Sequence, residues 1–100
     1  MTNIQALLDA TGLGADRRDT VERIFEHPPS ENVEWRQVRS LLDALGAATQ
    51  EPNGRLRVEL GGEVEVFDRP HGKDVDRQML VDLRRMLSHA ADAFVRTQAI

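Results

Sequence analysis

Three histidines, His27, His71 and His89, are the side chains best suited to proton transfer in this chain, because free imidazole titrates at about pH 6.5. Their settings differ. His27 stands before Pro28-Pro29, which forbid helix continuation, so it reads as a helix end where a cation suits the dipole. His89 lies beside the apolar stripe of a helical pattern and reads as half exposed. His71 follows Arg69-Pro70 at the joint between a strand pattern and a helix pattern, where a proline-stiffened loop can hold the ring in one orientation. It is the candidate general acid or base, and the competing reading is that it closes the loop by hydrogen bonding. Arg55, Arg57, Arg69 and Lys73 lie in the same stretch and are candidates to hold phosphate. Phe67 could stack a base beside them. The bland alternative is a solvated face laced by Arg55, Arg57, Glu59, Glu63 and Glu65, with Phe67 covered by a terminal helix.

Other chemistries lack their residues. There is no cysteine, hence no disulfide framework, thiolate zinc site or cysteine nucleophile, as in a reducing compartment. Ser30, Ser40 and Ser88 sit in no nucleophile elbow, and Gly12-Leu13-Gly14 is too short for a phosphate loop. The stretch from His71 to Asp76 offers one imidazole and two carboxylates, but a helix cap and an acidic first turn account for Asp74 and Asp76, so no metal is expected. The net charge of -4 opposes generic polyanion binding. A DNA reader built on residues 34–46 would expose Arg36 and Arg39 but also Glu34 and Asp43, too little positive charge for a groove.

These candidates need elements to position them. Residues 2–11 set Ile4, Leu7 and Leu8 on one helical face, with Gly12 as stop. A second helix starts near Asp16, carries Val21, Ile24 and Phe25, and must stop by His27. From Asn32 or Val33 a third helix stripes Trp35, Val38, Leu41, Leu42 and Leu45, ending at Gly46. The period then changes to two. Leu56, Val58 and Leu60 alternate with Arg55, Arg57 and Glu59, and Val64 and Val66 repeat the pattern after Gly61-Gly62. Glu51-Pro52-Asn53-Gly54 is a turn signal, which makes residues 47–51 a first strand. Asp74 is placed to cap a final helix with the stripe Met79, Leu80, Leu83, Leu87, Ala90, Ala91 and Phe94. Its length exceeds what a three-stranded sheet needs, so the tail should meet the N-terminal helices or a second copy.

Strand register decides which side chains share a face. A two-residue turn at Gly61-Gly62 would set Leu60 opposite Glu63 and Val58 opposite Glu65, each apolar residue across from a charge. A three-residue loop over 61–63 instead sets Leu60 opposite Val64, Val58 opposite Val66 and Arg57 opposite Phe67. The expectation is therefore the three-residue loop, with Phe67 on the arginine face and Glu59 facing Glu65 at a cost of a few tenths of a kcal/mol.

One ordered set of short motifs is specific: Ile24-Phe25, Pro28, Asn32-Val33-Glu34-Trp35, Leu41-Leu42-Asp43-Ala44-Leu45-Gly46-Ala47 and Phe67-Asp68-Arg69-Pro70-His71. Residues 24–90 resemble, through this set, a divergent branch of the HicA family of toxin–antitoxin modules. The resemblance implies an α+β fold like double-stranded-RNA-binding domains, with helices on one face of a three-stranded antiparallel sheet. It implies an mRNA-cleaving toxin without metal or cofactor, and a HicB-like antitoxin as partner. It divides the chain into a helical extension, 1–23, and a HicA-like domain, 24–100. The family's usual catalytic histidine, in a Gly-Ser-His stretch, has no counterpart, since Asn53-Gly54-Arg55 stands there; a second frequent histidine position holds Asp68. Cleavage would then fall to His71, with Arg55, Arg57, Arg69 and Lys73 on phosphate and Phe67 stacked. The alternative is a non-catalytic HicA-like module binding protein or RNA. At 100 residues one folded core is expected, with an open site rather than an enclosed cavity. No apolar run exceeds three residues and residues 1–5 lack a basic start, so the expectation is a cytoplasmic chain without signal peptide or membrane span.

Overall fold

The arrangement that buries all these stripes at once is an α+β fold in the order α-α-α-β-β-β-α, seen in a computed structural model that describes residues 2–26 and 32–98. The reading of His27 as a helix end, and Pro28 of the motif set, lie outside the described residues. Helix α1 is Thr2–Thr11, α2 Ala15–Ile24, α3 Trp35–Ala44 and α4 Arg77–Gln98; strands β1 (Ala48–Gln50), β2 (Leu56–Leu60) and β3 (Glu63–Phe67) form one antiparallel sheet in chain order. Helices α3 and α4 lie on one face of the sheet, and α1 and α2 pack against them.

Three of the four helices have a clear local reason to begin or end. Gly12 and Gly46 take φ of +65° and +67°, the left-handed conformation that terminates α1 and α3 at low cost. Glu34 and Gln37 form a reciprocal capping box at the start of α3. Asp76, rather than Asp74, caps α4: its Oδ1 accepts the Met79 N–H at 2.8 Å. Asp74 is occupied in a single antiparallel bridge with Glu34. Around it the Trp35 N–H donates to the Lys73 carbonyl at 2.7 Å, and the Val75 N–H to that of Val33 at 3.0 Å. The loop that carries His71 is thereby stitched to the entrance of α3.

The core is one cluster. Ile4, Leu8, Val21 and Ile24 of the first two helices are buried with Val38, Leu41, Leu42, Leu56, Val58, Leu83 and Leu87. The part of α4 that outruns the sheet is covered by α1, with Ala91 buried beside Ile4 and Leu8, and Asn3 Nδ2 donating to Asp92 Oδ1 at 2.6 Å. Within one chain the N-terminal helix α1 packs on that tail. Among the described residues no helix is long and apolar enough to cross a membrane.

The hairpin differs from expectation. Its turn is the two-residue one: Gly61 and Gly62 have φ of +58° and +85°, and Leu60 pairs with Glu63, Val58 with Glu65, Arg57 with Val66 and Leu56 with Phe67. Positive φ at both central residues is the type I′ geometry, whose twist matches that of the strands, and Gly-Gly adopts it without penalty. That turn outweighs apolar matching because the charges are not stranded. Glu63 and Glu65 point toward α4, where Arg85 reaches Glu63 Oε1 at 3.3 Å and Glu65 Oε1 at 3.0 Å, and His89 Nδ1 meets Glu63 Oε2. The turn itself lies on α4, for a Cβ on Gly61 would stand 2.7 Å from the Ala90 backbone nitrogen.

Candidate functional site

With period two, that register inverts β3. Phe67 faces inward opposite Leu56 and is 7 % exposed, so it belongs to the core and cannot stack a base; this corrects its assignment to the arginine face. Glu59 opposes Val64 rather than Glu65, and Glu63 and Glu65 leave the open face for the helix side. The uncovered face carries Thr49, Arg57, Glu59, Val64 and Val66, with Arg55 and Asp68 beyond the strand ends.

The two sheet arginines are already occupied. Arg55 Nε lies 2.8 Å from Asp68 Oδ1, and Arg57 Nη2 lies 3.7 Å from Glu59 Oε2. Each phosphate contact by these groups would first have to displace a carboxylate. Exposed pairs of this kind are worth only about 0–1 kcal/mol, so displacement is cheap, but the local field is close to neutral.

The β3–α4 joint is different. Arg69, His71 and Lys73 are exposed at alternate positions, and none makes a side-chain hydrogen bond or ion pair among the described residues. His71 therefore does not close its loop by hydrogen bonding; the backbone bridge to Val33 and Trp35 does that, leaving the ring at the surface. Beside it is an open groove of about 390 Å³ lined by Asp68, Arg69, Pro70, His71, Asp74 and Asp76. Among the described residues no set of His, Asp and Glu is grouped to hold a metal ion. On the helix 35–44 both arginines are paired, Arg36 with Glu34 at 2.9 Å and Arg39 with Asp43 at 3.2 Å.

The strongest electrostatic cluster lies elsewhere, between β3 and α4. Hydrogen bonding from His89, then from Arg85, holds the Glu63 carboxyl below the usual glutamate range, against the opposing effect of burial. Hydrogen bonding to Asp82, 3.0 Å away, and to Glu63 raises the Arg85 guanidinium. At the entrance of α3, Glu34 is lowered by its hydrogen bond from Arg36. Sequence alone does not bring the inner cluster together, because it depends on register. Its signal was the spacing: Arg85 and His89 four apart on a helix, Glu63 and Glu65 two apart on a strand, each pair on one face.

Comparison with protein-family models, with curated proteins and with solved structures finds no match for this chain.

Proposed function

We propose that this chain is a HicA-like toxin that acts on RNA through the β3–α4 joint, with His71 as general acid or base and Arg69 and Lys73 holding phosphate. A single observation carries the reading: three groups suited to phosphodiester chemistry stand exposed at that joint with no side-chain hydrogen bond or close ion pair, Lys73 being attracted only at longer range by Glu34, while the sheet arginines are neutralised. Support comes from the motif set quoted above and from residues 35–98, which run α-β-β-β-α as double-stranded-RNA-binding domains do. Arg55 and Arg57 take a secondary part, tracking the strand beyond the cut, and Phe67 takes none.

The chemistry needs no metal. A base removes the proton of a ribose 2′-hydroxyl, the 2′-oxygen attacks phosphorus, and the departing 5′-oxygen takes a proton from an acid, leaving a 2′,3′-cyclic phosphate. His71 performs one transfer and solvent the other, while Arg69 and Lys73 neutralise the charge that builds on the phosphoryl oxygens. A HicB-like antitoxin, covering the joint, would be the cytoplasmic partner.

The test is cleavage of a structured RNA by purified chain with chelator present, from about pH 5 to about pH 8, the range in which imidazole changes charge. His71→Ala should lower the rate by about 10²-fold or more, and the double variant Arg69→Ala, Lys73→Ala should raise the RNA concentration required. Full cleavage by His71→Ala refutes the assignment. A second reading, a non-catalytic HicA-like module, is favoured by Asp68, Asp74 and Asp76, which line the same groove as Arg69 and His71. It is selected if no product forms at any pH in that range. It predicts that the chain captures a HicB-like protein with His71 dispensable.

A further inference from the structure

The sheet has two open edges, and they are not alike. Strand β1 is three residues long and runs into Pro52, features that blunt an edge against further pairing. Strand β3 is five residues long and contains no proline, and its outward side chains are Val64 and Val66, 48 % and 46 % exposed. Only three large hydrophobics are that exposed among the described residues, and two of them sit together here.

We propose that a second copy of this chain pairs with β3 edge to edge, antiparallel, about a two-fold axis at Glu65. Backbone phase and side-chain matching select that register independently. In the hairpin, Leu60 and Glu63 flank a two-residue turn and exchange both hydrogen bonds, so Glu63, Glu65 and Phe67 direct their N–H and C=O groups to β2. Val64 and Val66 direct theirs to the free edge. An axis at Glu65 makes Val64 of one copy and Val66 of the other a hydrogen-bonded pair, twice over. An axis at Val66 would instead set Val64 against Asp68, and one at Val64 would set Val66 against Gly62.

The flanks complete the match. On the open face Arg57 pairs with Val66 and Glu59 with Val64, so each row across the joined sheets reads Arg57, Val66, then the second copy's Val64 and Glu59. Four valines form an apolar centre with an arginine on one rim and a glutamate on the other, the usual anatomy of an interface. On the helix side the two Glu65 carboxylates approach each other, and each is paired with Arg85 at 3.0 Å, a cation it shares with Glu63 and Asp82. The contact is small, which places this dimer among the weak, concentration-dependent ones.

The test is sedimentation of the full chain over a concentration series. The expected result is a shift from 11.2 kDa to twice that mass at the upper end, lost in Val64→Lys and in Val66→Lys with circular dichroism unchanged. Because the chain has no cysteine, Glu65→Cys supplies a single thiol beside the axis and should cross-link under mild oxidation; Glu59→Cys, two residues off the seam, should not. A chain that stays monomeric throughout overturns the proposal. So does a dimer indifferent to Val66→Lys, equal cross-linking at both cysteines, or an edge that pairs only with a different protein. None of these outcomes depends on RNA cleavage.

Discussion

Gly61→Asn is a substitution that turn chemistry recommends and the tertiary structure forbids. Asn-Gly is among the most favoured type I′ sequences, so at φ +58° asparagine should cost the isolated hairpin little. Here, however, its Cβ would lie 2.7 Å from the Ala90 nitrogen, 2.8 Å from the Ala90 Cα and 3.0 Å from the His89 carbonyl carbon. All three are helix backbone, so no rotamer change relieves the contact; the turn must lift from α4. Overpacking of this kind costs about 1–3 kcal/mol. Gly61→Ala adds left-handed strain of about 1–2 kcal/mol to the same clash. Gly62 is the control, since a Cβ there meets nothing within 4 Å and only conformational cost applies. Urea titration of the variants measures the differences directly. In a domain of this size each 1 kcal/mol moves Tm by about 4–8 °C, so Gly61→Asn should melt several degrees below Gly62→Asn. If it melts with or above the wild type, the seating of the hairpin on α4 is wrong, and with it the inward direction of Glu63 and Glu65.

Phe67→Ala should cost about 3–5 kcal/mol in denaturant titration, as for a core aromatic; a cost within about 0.5 kcal/mol, as at a surface position, would return Phe67 to the open face. Asp76→Ala should cost about 0.5–2 kcal/mol through the lost cap, and Asp74→Ala less, which thermal melts of the pair decide. Stability should also fall in acid by way of Glu63. Its folded carboxyl is held below the unfolded value, so its contribution is complete above the ordinary glutamate range and is lost as pH falls through the depressed folded value. Glu63→Gln should flatten that part of the acid limb, and an unchanged limb in the variant refutes the His89–Glu63 contact. Asp68→Ala frees Arg55, so it should tighten RNA binding at low salt while moving stability by less than about 1 kcal/mol.

Helices were legible because their signals are local and redundant. Ile4 and Leu8, or Val38, Leu41 and Leu42, announce a face by spacing, and Gly12 and Gly46 punctuate it. The order of elements followed from the change of period at residue 55. The cap of α4 is ambiguous by two residues in the sequence, where Asp74 and Asp76 are equivalent; only the bridge from Lys73 and Val75 to the start of α3 tells them apart. The hairpin register was not legible for a different reason. Within the strands, matching apolar to apolar favours the longer loop, and what reverses the choice is a pair of residues some twenty positions away, Arg85 and His89, that make an inward glutamate acceptable.

That reversal moves the candidate chemistry as well as the side chains. Had the longer loop held, Phe67 and Arg57 would share a face and the sheet would be the natural platform for RNA. With the shorter turn the sheet face keeps arginines that are paired and two valines that are not, a surface better suited to another strand than to phosphate. The exposed imidazole and two cations without a close ion pair are left at the joint, held by the backbone bridge to α3. The proposed RNA site and the proposed self-association thus fall at the end and along the free edge of one strand, and the variants that abolish one should leave the other intact: His71→Ala should still dimerise, and Val66→Lys should still cut. If Val66→Lys instead abolished cleavage in step with the dimer, the joint would be incomplete in a single copy, and the active unit would be the pair.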